Sequence, residues 1–214
     1  MLPANWEEDS RCRLLHCGLD WRPFEQALEP ALVRRELGIP EGAWVVGHVG
    51  RMEEQKNHLS LIRLFAKIRA ADPAAHLLLL GDGRLKASIV GLVASLNLNS
   101  FVTIAGVRSD VARLMRGAMD LFVFPSRYEG LGLAFIEAQA AGLPCVVSTA
   151  VPQEAVCIGP LCTRLDIADS EERWVQVILE AKRSAVPNRS ECYRQVSDQF
   201  SLESNLQVLR QVYG

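Results

Sequence analysis

WVVGHVGRMEEQKNHLSLIRLFAKIRAADPAAHLLLL, residues 44 to 80, holds the reading that decides the fold. It opens on a short apolar run, Trp44–Val49, and closes on a second, residues 76–80. Between them Leu61, Phe65 and Ile68 recur at the spacing of one helical face, while Arg63, Lys67 and Arg69 take the other side. The spacing predicts a strand, a helix over residues 59–71 that packs on a sheet, and a second strand. Asn57 stands as the N-cap candidate of that helix.

The same alternation continues downstream. Helical periods at residues 85–96, 111–118 and 131–141 separate apolar runs at 101–104, 121–124 and 145–148. Such strands are continuous in hydrophobicity and bounded by turn residues, as strands buried on both faces of a parallel sheet must be. The expectation is a doubly wound α/β domain. Residues 1–29 hold no βα unit, and from Ser170 the chain reads as helices only, at 171–184, 190–199 and 202–212 with a break at Pro187.

Composition narrows the function classes. The chain has 214 residues, enough for one sizeable core, and a formal net charge of −2 leaves no basic field for nucleic acid. Its longest apolar runs fall far short of the ~18 residues a membrane span needs. Acids stand near the N-terminus, where a secretion leader carries positive charge, so the expected compartment is the cytoplasm. Six cysteines, with Cys12/Cys17 and Cys157/Cys162 each five apart, lack the spacing and histidine partners of a zinc site and read as reduced thiols, with zinc the lesser alternative.

In parallel α/β sheets the chemistry lies in the loops beyond the carboxyl ends of the strands. The first such loop carries Gly50, Arg51 and Lys56, two cations beside a helix start, which suits an anion; solvated surface charge is the competing reading. The next, LLGDGR, places Gly81 and Gly83 where backbone approaches a ligand or turns tightly. In AGVRSDV, Asp110 reads as a helix cap.

The most specific stretch is PSRYEGLGLAFIEAQAAGLP, residues 125–144. Gly130 and Gly132 flank Leu131 at an expected helix start near Leu131, leaving unobstructed N–H groups. Glu129 and Glu137 stand eight residues apart, the first in the loop and the second a little over two turns on. Carboxylates repel phosphate, so beside an anion site they suit hydroxyls. A ligand both anionic and hydroxyl-rich, a nucleotide sugar, satisfies both demands. Taken singly, Glu129 is a favourable charge at a helix N-terminus and Glu137 a solvated helix residue.

The run EGLGLAFIEAQAAGLPCVVS resembles the E-x7-E region of the family 4 glycosyltransferases, which have the GT-B fold. GRMEEQKNH is similar to that family's phosphate-binding element, and LLLLGDGR, FVTIAGVRSDV and DLFVFPSRYEG follow in the same order, so the resemblance spans residues 43–148. LLHCGLDWRPF, residues 14–24, resembles the linker between the two halves of such enzymes, with Cys17 where asparagine is usual, and the end of the chain resembles their closing helix.

The resemblance implies a Rossmann-like C-terminal donor half: 1–29 as linker, 30–169 as the nucleotide-sugar-binding domain, 170–214 as a helical tail. It implies that Arg51 and Lys56 neutralise the donor diphosphate and that Glu129 binds the transferred sugar. The amides of Gly130, Leu131, Gly132 and Leu133 would touch phosphate and sugar, and Glu137 would hold the ribose. Gly50 and Gly81 line the site, and Val107 sits by the base. The chemistry implied is retaining transfer without a bound metal or other cofactor, from a nucleotide-diphosphate sugar to a sugar or lipid-linked acceptor in polysaccharide or glycan synthesis. An N-terminal acceptor domain would be the missing partner, with any peripheral membrane contact made through that half. A binding module without transfer activity and a GT-B epimerase are the alternatives. A glycoside hydrolase ranks lower, because its carboxylates flank one bond across a cleft and need no basic pair.

Overall fold

The computed structural model describes residues 18–183 and 188–213. Strands β1 (Trp44–Val49), β2 (Ala75–Leu80), β3 (Val102–Ile104), β4 (Leu121–Phe124), β5 (Cys145–Ser148) and β6 (Cys162–Leu165) form one sheet in the order β3-β2-β1-β4-β5-β6. Every neighbouring pair is parallel. The expected doubly wound α/β architecture is therefore present, and its order reverses between β1 and β4, where such sheets open a crevice at their carboxyl ends.

The strands alternate because both faces are covered. Val45, Leu78, Leu80, Phe122, Phe124 and Val147 point into one core, while Val46, Leu77, Leu79, Val123 and Val146 point into the other. The first core packs α1 (Arg22–Glu25), α2 (Pro30–Glu36), α5 (Val111–Ala118), α6 (Leu133–Ala140) and α8 (Arg189–Gln199), through residues such as Phe24, Val33, Leu114, Phe135 and Val196. The second packs α3 (His58–Ala71), α4 (Lys86–Ser95) and α7 (Glu171–Ala181), through Leu61, Phe65, Ile89 and Trp174.

The start and the end of the described chain meet. Leu19 N–H and Trp21 Nε1–H both donate to Phe200 O, at 2.9 and 3.0 Å, and Tyr193 Oη–H donates to Glu25 at 2.7 Å. A last helix, α9 (Leu202–Tyr213), leaves Leu202, Leu206, Val212 and Tyr213 exposed. Residues 14–17 of the linker-like stretch, Cys12, Cys17 and Pro187 lie outside the described residues; Cys145, Cys157, Cys162 and Cys192 are free thiols.

Several local expectations are refined. Asn57 stands at the N-cap position of α3, as expected, but makes no side-chain capping bond: its backbone is left-handed (φ 56°) and its side chain donates to Pro125 O at 3.2 Å. Asp110 precedes α5 without a capping bond, because Arg108 and Arg113 occupy its carboxylate. Helix α6 begins at Leu133, two residues later than expected, since Gly132 takes a left-handed conformation (φ 82°) that breaks the helix there. Helix α2 and strand β6 were not anticipated. Only Val33 of α2 is buried, and β6, an edge strand reading CTRL, has no apolar run to betray it.

Candidate functional site

Strand β1 ends at the sheet's switch point and runs into the loop that carries Gly50, Arg51 and Lys56. Neighbouring β4 ends in the loop that carries Glu129. The two loops are stitched by Arg127 N–H to Gln55 O (2.8 Å), Gln55 Nε2–H to Tyr128 O (2.9 Å) and the Asn57 bond to Pro125. Across this seam Lys56 Nζ donates to Glu129 Oε1 at 2.6 Å.

The pair is nearly dry: the side chains of Lys56 and Glu129 are 14% and 5% exposed. Lys56 Nζ also lies 4.6 Å from the centre of the Phe124 ring, a cation–π contact, and Gln55 Nε2 approaches Glu129 Oε2 at 3.4 Å. Gly50 fits against the Lys56 stem, where a Cβ would stand 3.0 Å from its Cγ. Gly81, after β2, crosses so close that a Cβ would lie 2.1 Å from Gly50 O, and its φ of 129° suits glycine alone. The loops after β2 and β1 thus meet backbone to backbone, with no room for a side chain at Gly81.

Arg51 does not join the pair. Its side chain is exposed and makes no hydrogen bond or ion pair among the described residues. With Lys56 neutralised by Glu129, Arg51 is the uncompensated cation of this loop.

Gly130 is exposed, Leu131 half-buried and Gly132 buried as the N-cap of α6, with no side chain capping the helix. Leu133 opens the helix with its side chain 37% exposed. The first-turn amides therefore face the rim with no capping oxygen, and the helix dipole makes that end attractive to negative charge. One turn further in, Glu137 is mostly buried and has no hydrogen-bond partner among the described residues; burial pushes its carboxyl up to about 7. Val107 is 79% exposed in the loop after β3, two strands out from β1 along the same rim, and touches none of these groups.

Sequence reasoning missed Gln55, Phe124 and the histidines beneath the seam. His48 is buried in β1 with Nδ1 2.8 Å from Val123 O, and its ring meets that of His58 edge-on at 4.6 Å. Burial, then the neighbouring His58, holds His48 well below the ordinary histidine range. No local pattern announces these groups, because each acts on a partner far along the chain.

Among the described residues no helix is long and apolar enough to cross a membrane. Residues 31–193 match the family model described as glycosyl transferases group 1. EpsF of Bacillus subtilis (strain 168) is 34% identical over 213 residues, 97% of this chain and 54% of that protein. The UDP-Gal:alpha-D-GlcNAc-diphosphoundecaprenol alpha-1,3-galactosyltransferase of Escherichia coli is 33% identical over 135 residues, 61% of this chain and 35% of its own. The crystal structure of Anabaena Alr3699/HepE in complex with UDP-glucose superposes with a TM-score of 0.80 at 21% identity, over 94% of this chain and 57% of that one. The matched stretches thus cover about a third to somewhat over half of these relatives' lengths, and the sheet is the Rossmann-like half of a GT-B fold. By the family match over residues 31–193, the chain belongs to the group 1 glycosyl transferases.

Proposed function

We propose that this chain is the donor-binding half of a retaining glycosyltransferase of the family 4 type. Residues 30–169 hold a nucleotide-diphosphate sugar, 1–29 serve as interdomain linker and 170–214 as closing tail. The reading rests above all on the Lys56–Glu129 pair, set at the sheet's switch point beside the uncapped start of α6.

In this reading Arg51 and Lys56 neutralise the diphosphate, and the amides from Gly130 to Leu133 supply further donors. As Lys56 turns toward phosphate, Glu129 is released to accept hydroxyls of the transferred sugar. Glu137, poised near neutrality by burial, takes the ribose diol, and Val107 offers an apolar surface to the base; Gly50 and Gly81 leave the backbone open beneath. In the transfer the anomeric C–O bond to the diphosphate breaks, and a bond to the acceptor oxygen forms on the same face. The acceptor's proton passes to the departing phosphate oxygen, with no metal required. The acceptor, a sugar or a lipid-linked glycan, is held by an N-terminal domain, without which the chain binds donor and does not turn over.

HepE was crystallised with UDP-glucose, which favours a UDP-sugar as the first donor to try. Calorimetry against UDP-, GDP- and ADP-sugars tests the reading: one class should bind, and Arg51→Ala or Lys56→Ala should weaken it by about 1–3 kcal/mol. Unchanged affinity in both variants would remove the basic pair from the site. Turnover by the chain alone, with labelled donor and acceptor, would show that no second domain is needed.

A further inference from the structure

Two consecutive residues of the loop after β1 hold the Glu129 carboxylate, and they take one oxygen each. Lys56 Nζ lies 2.6 Å from Oε1, and Gln55 Nε2 lies 3.4 Å from Oε2. Among the described residues no other group bonds that carboxylate.

The half-buried Gln55 is itself pinned. A carboxamide nitrogen carries two N–H donors. One goes to Tyr128 O at 2.9 Å, which leaves the second for Glu129. The backbone carbonyl of Gln55 accepts from Arg127 N–H at 2.8 Å, so this one residue grips positions 127, 128 and 129 in turn. The stem of Glu129 is flanked by the open start of α6, where a Cβ on Gly132 would stand 3.8 Å from Glu129 Cγ.

The two holders differ in charge, and an arriving anion separates them. A diphosphate competes with Glu129 for the Lys56 ammonium, whereas a neutral carboxamide gives it no net charge to draw. With Lys56 in place the Gln55 contact is long, at 3.4 Å; once Lys56 leaves, Gln55 is the remaining donor to an ionised acceptor, and such bonds run shorter and stronger. We infer that Gln55 is the positioning residue for sugar recognition: it keeps Glu129 turned toward the hydroxyls of the transferred sugar after the donor diphosphate has drawn Lys56 away. This role rests on the donor reading above, and it leaves nucleotide affinity to Arg51, Lys56 and the α6 amides.

Gln55→Met keeps the length of the side chain and removes both donors. Calorimetry on the whole chain compares parent and variant with UDP and UDP-glucose, or with the diphosphate and sugar of whichever base binds. Affinity for the nucleotide sugar should fall about tenfold, the scale of a hydrogen bond to a charged group, and affinity for the bare diphosphate by less than about twofold. On a Glu129→Gln background, Gln55→Met should weaken the nucleotide sugar no further, because both act through one carboxylate. Unchanged affinity for the nucleotide sugar, an equal loss for the diphosphate, or additive losses in that cycle would each overturn the role of Gln55 while the donor reading stands. A parent chain that binds no nucleotide-diphosphate sugar would end the donor reading and this role together. Should Gln55→Met melt early, the side-chain amide protons of Gln55 in the parent decide. Solvent exchange that stays slow when the diphosphate binds supports the role, and exchange as fast as that of free glutamine overturns it.

Discussion

Two acids of one segment meet opposite fates. Glu129, in the loop after β4, is met by Lys56 at 2.6 Å; Glu137, eight residues on, is mostly buried in α6 and has no ion pair or hydrogen bond among the described residues. The same chemical group is locked as half of an ion pair in one place and held near its neutral form in the other. The difference lies in what the sheet brings alongside: β1 lies next to β4, so the loop after β1 reaches Glu129, whereas no described residue bonds the Glu137 carboxyl.

The largest effect should come from breaking the satisfied member. Lys56→Ala leaves Glu129 charged and nearly dry, and is expected to destabilise the fold by about 3–5 kcal/mol in urea titration. Combining Lys56→Met with Glu129→Leu should restore most of that loss. A cost near that of a surface ion pair, under about 1 kcal/mol, would erase the contrast between the two acids.

The unsatisfied groups predict pH effects of opposite sign in nearly the same window. His58 falls from the ordinary 6.5 to about 4, so between those values the unfolded chain binds a proton that the folded chain refuses. Its contribution is complete above about pH 6.5 and is lost as pH falls toward 4, by about 3 kcal/mol in all. Comparing the urea midpoints of the parent and His58→Gln from pH 7 to pH 4 isolates this slope. A parallel pair of profiles would show that His58 is solvated.

Glu137 works the other way. Its carboxyl rises from 4.5 to about 7, so the folded chain keeps a proton there that the unfolded chain has lost. That contribution is full below about pH 4.5 and disappears as pH rises through 7, by about 1–3 kcal/mol after allowance for its partial exposure. Glu137→Gln should therefore gain on the parent between pH 5 and 8. If its advantage does not grow with pH, Glu137 is hydrated and the comparison with Glu129 loses its second half.

The strands were legible because they are buried on both faces and so announce themselves as unbroken apolar runs; Trp44–Val49, Leu121–Phe124 and Cys145–Ser148 are the clearest. Strand β6 failed that test, since an edge strand with Thr163 and Arg164 partly in solvent needs no such run. Of the candidate site, the residue types and their loops could be read, but not their pairing. Arg51 and Lys56 look alike in the sequence, yet one is engaged and the other is exposed.

Hydrophobic period and turn chemistry are properties of neighbours in the chain, and these alone determined the βα series and put Arg51, Lys56, Glu129 and Glu137 at its carboxyl rim. The tertiary structure decided which charges touch. Lys56 finds Glu129 across 73 positions because β1 and β4 pair at the switch point. His58 and Glu137 lose water because the folded chain buries them, wholly and in large part, and that desolvation, being collective, is written in no short stretch of residues.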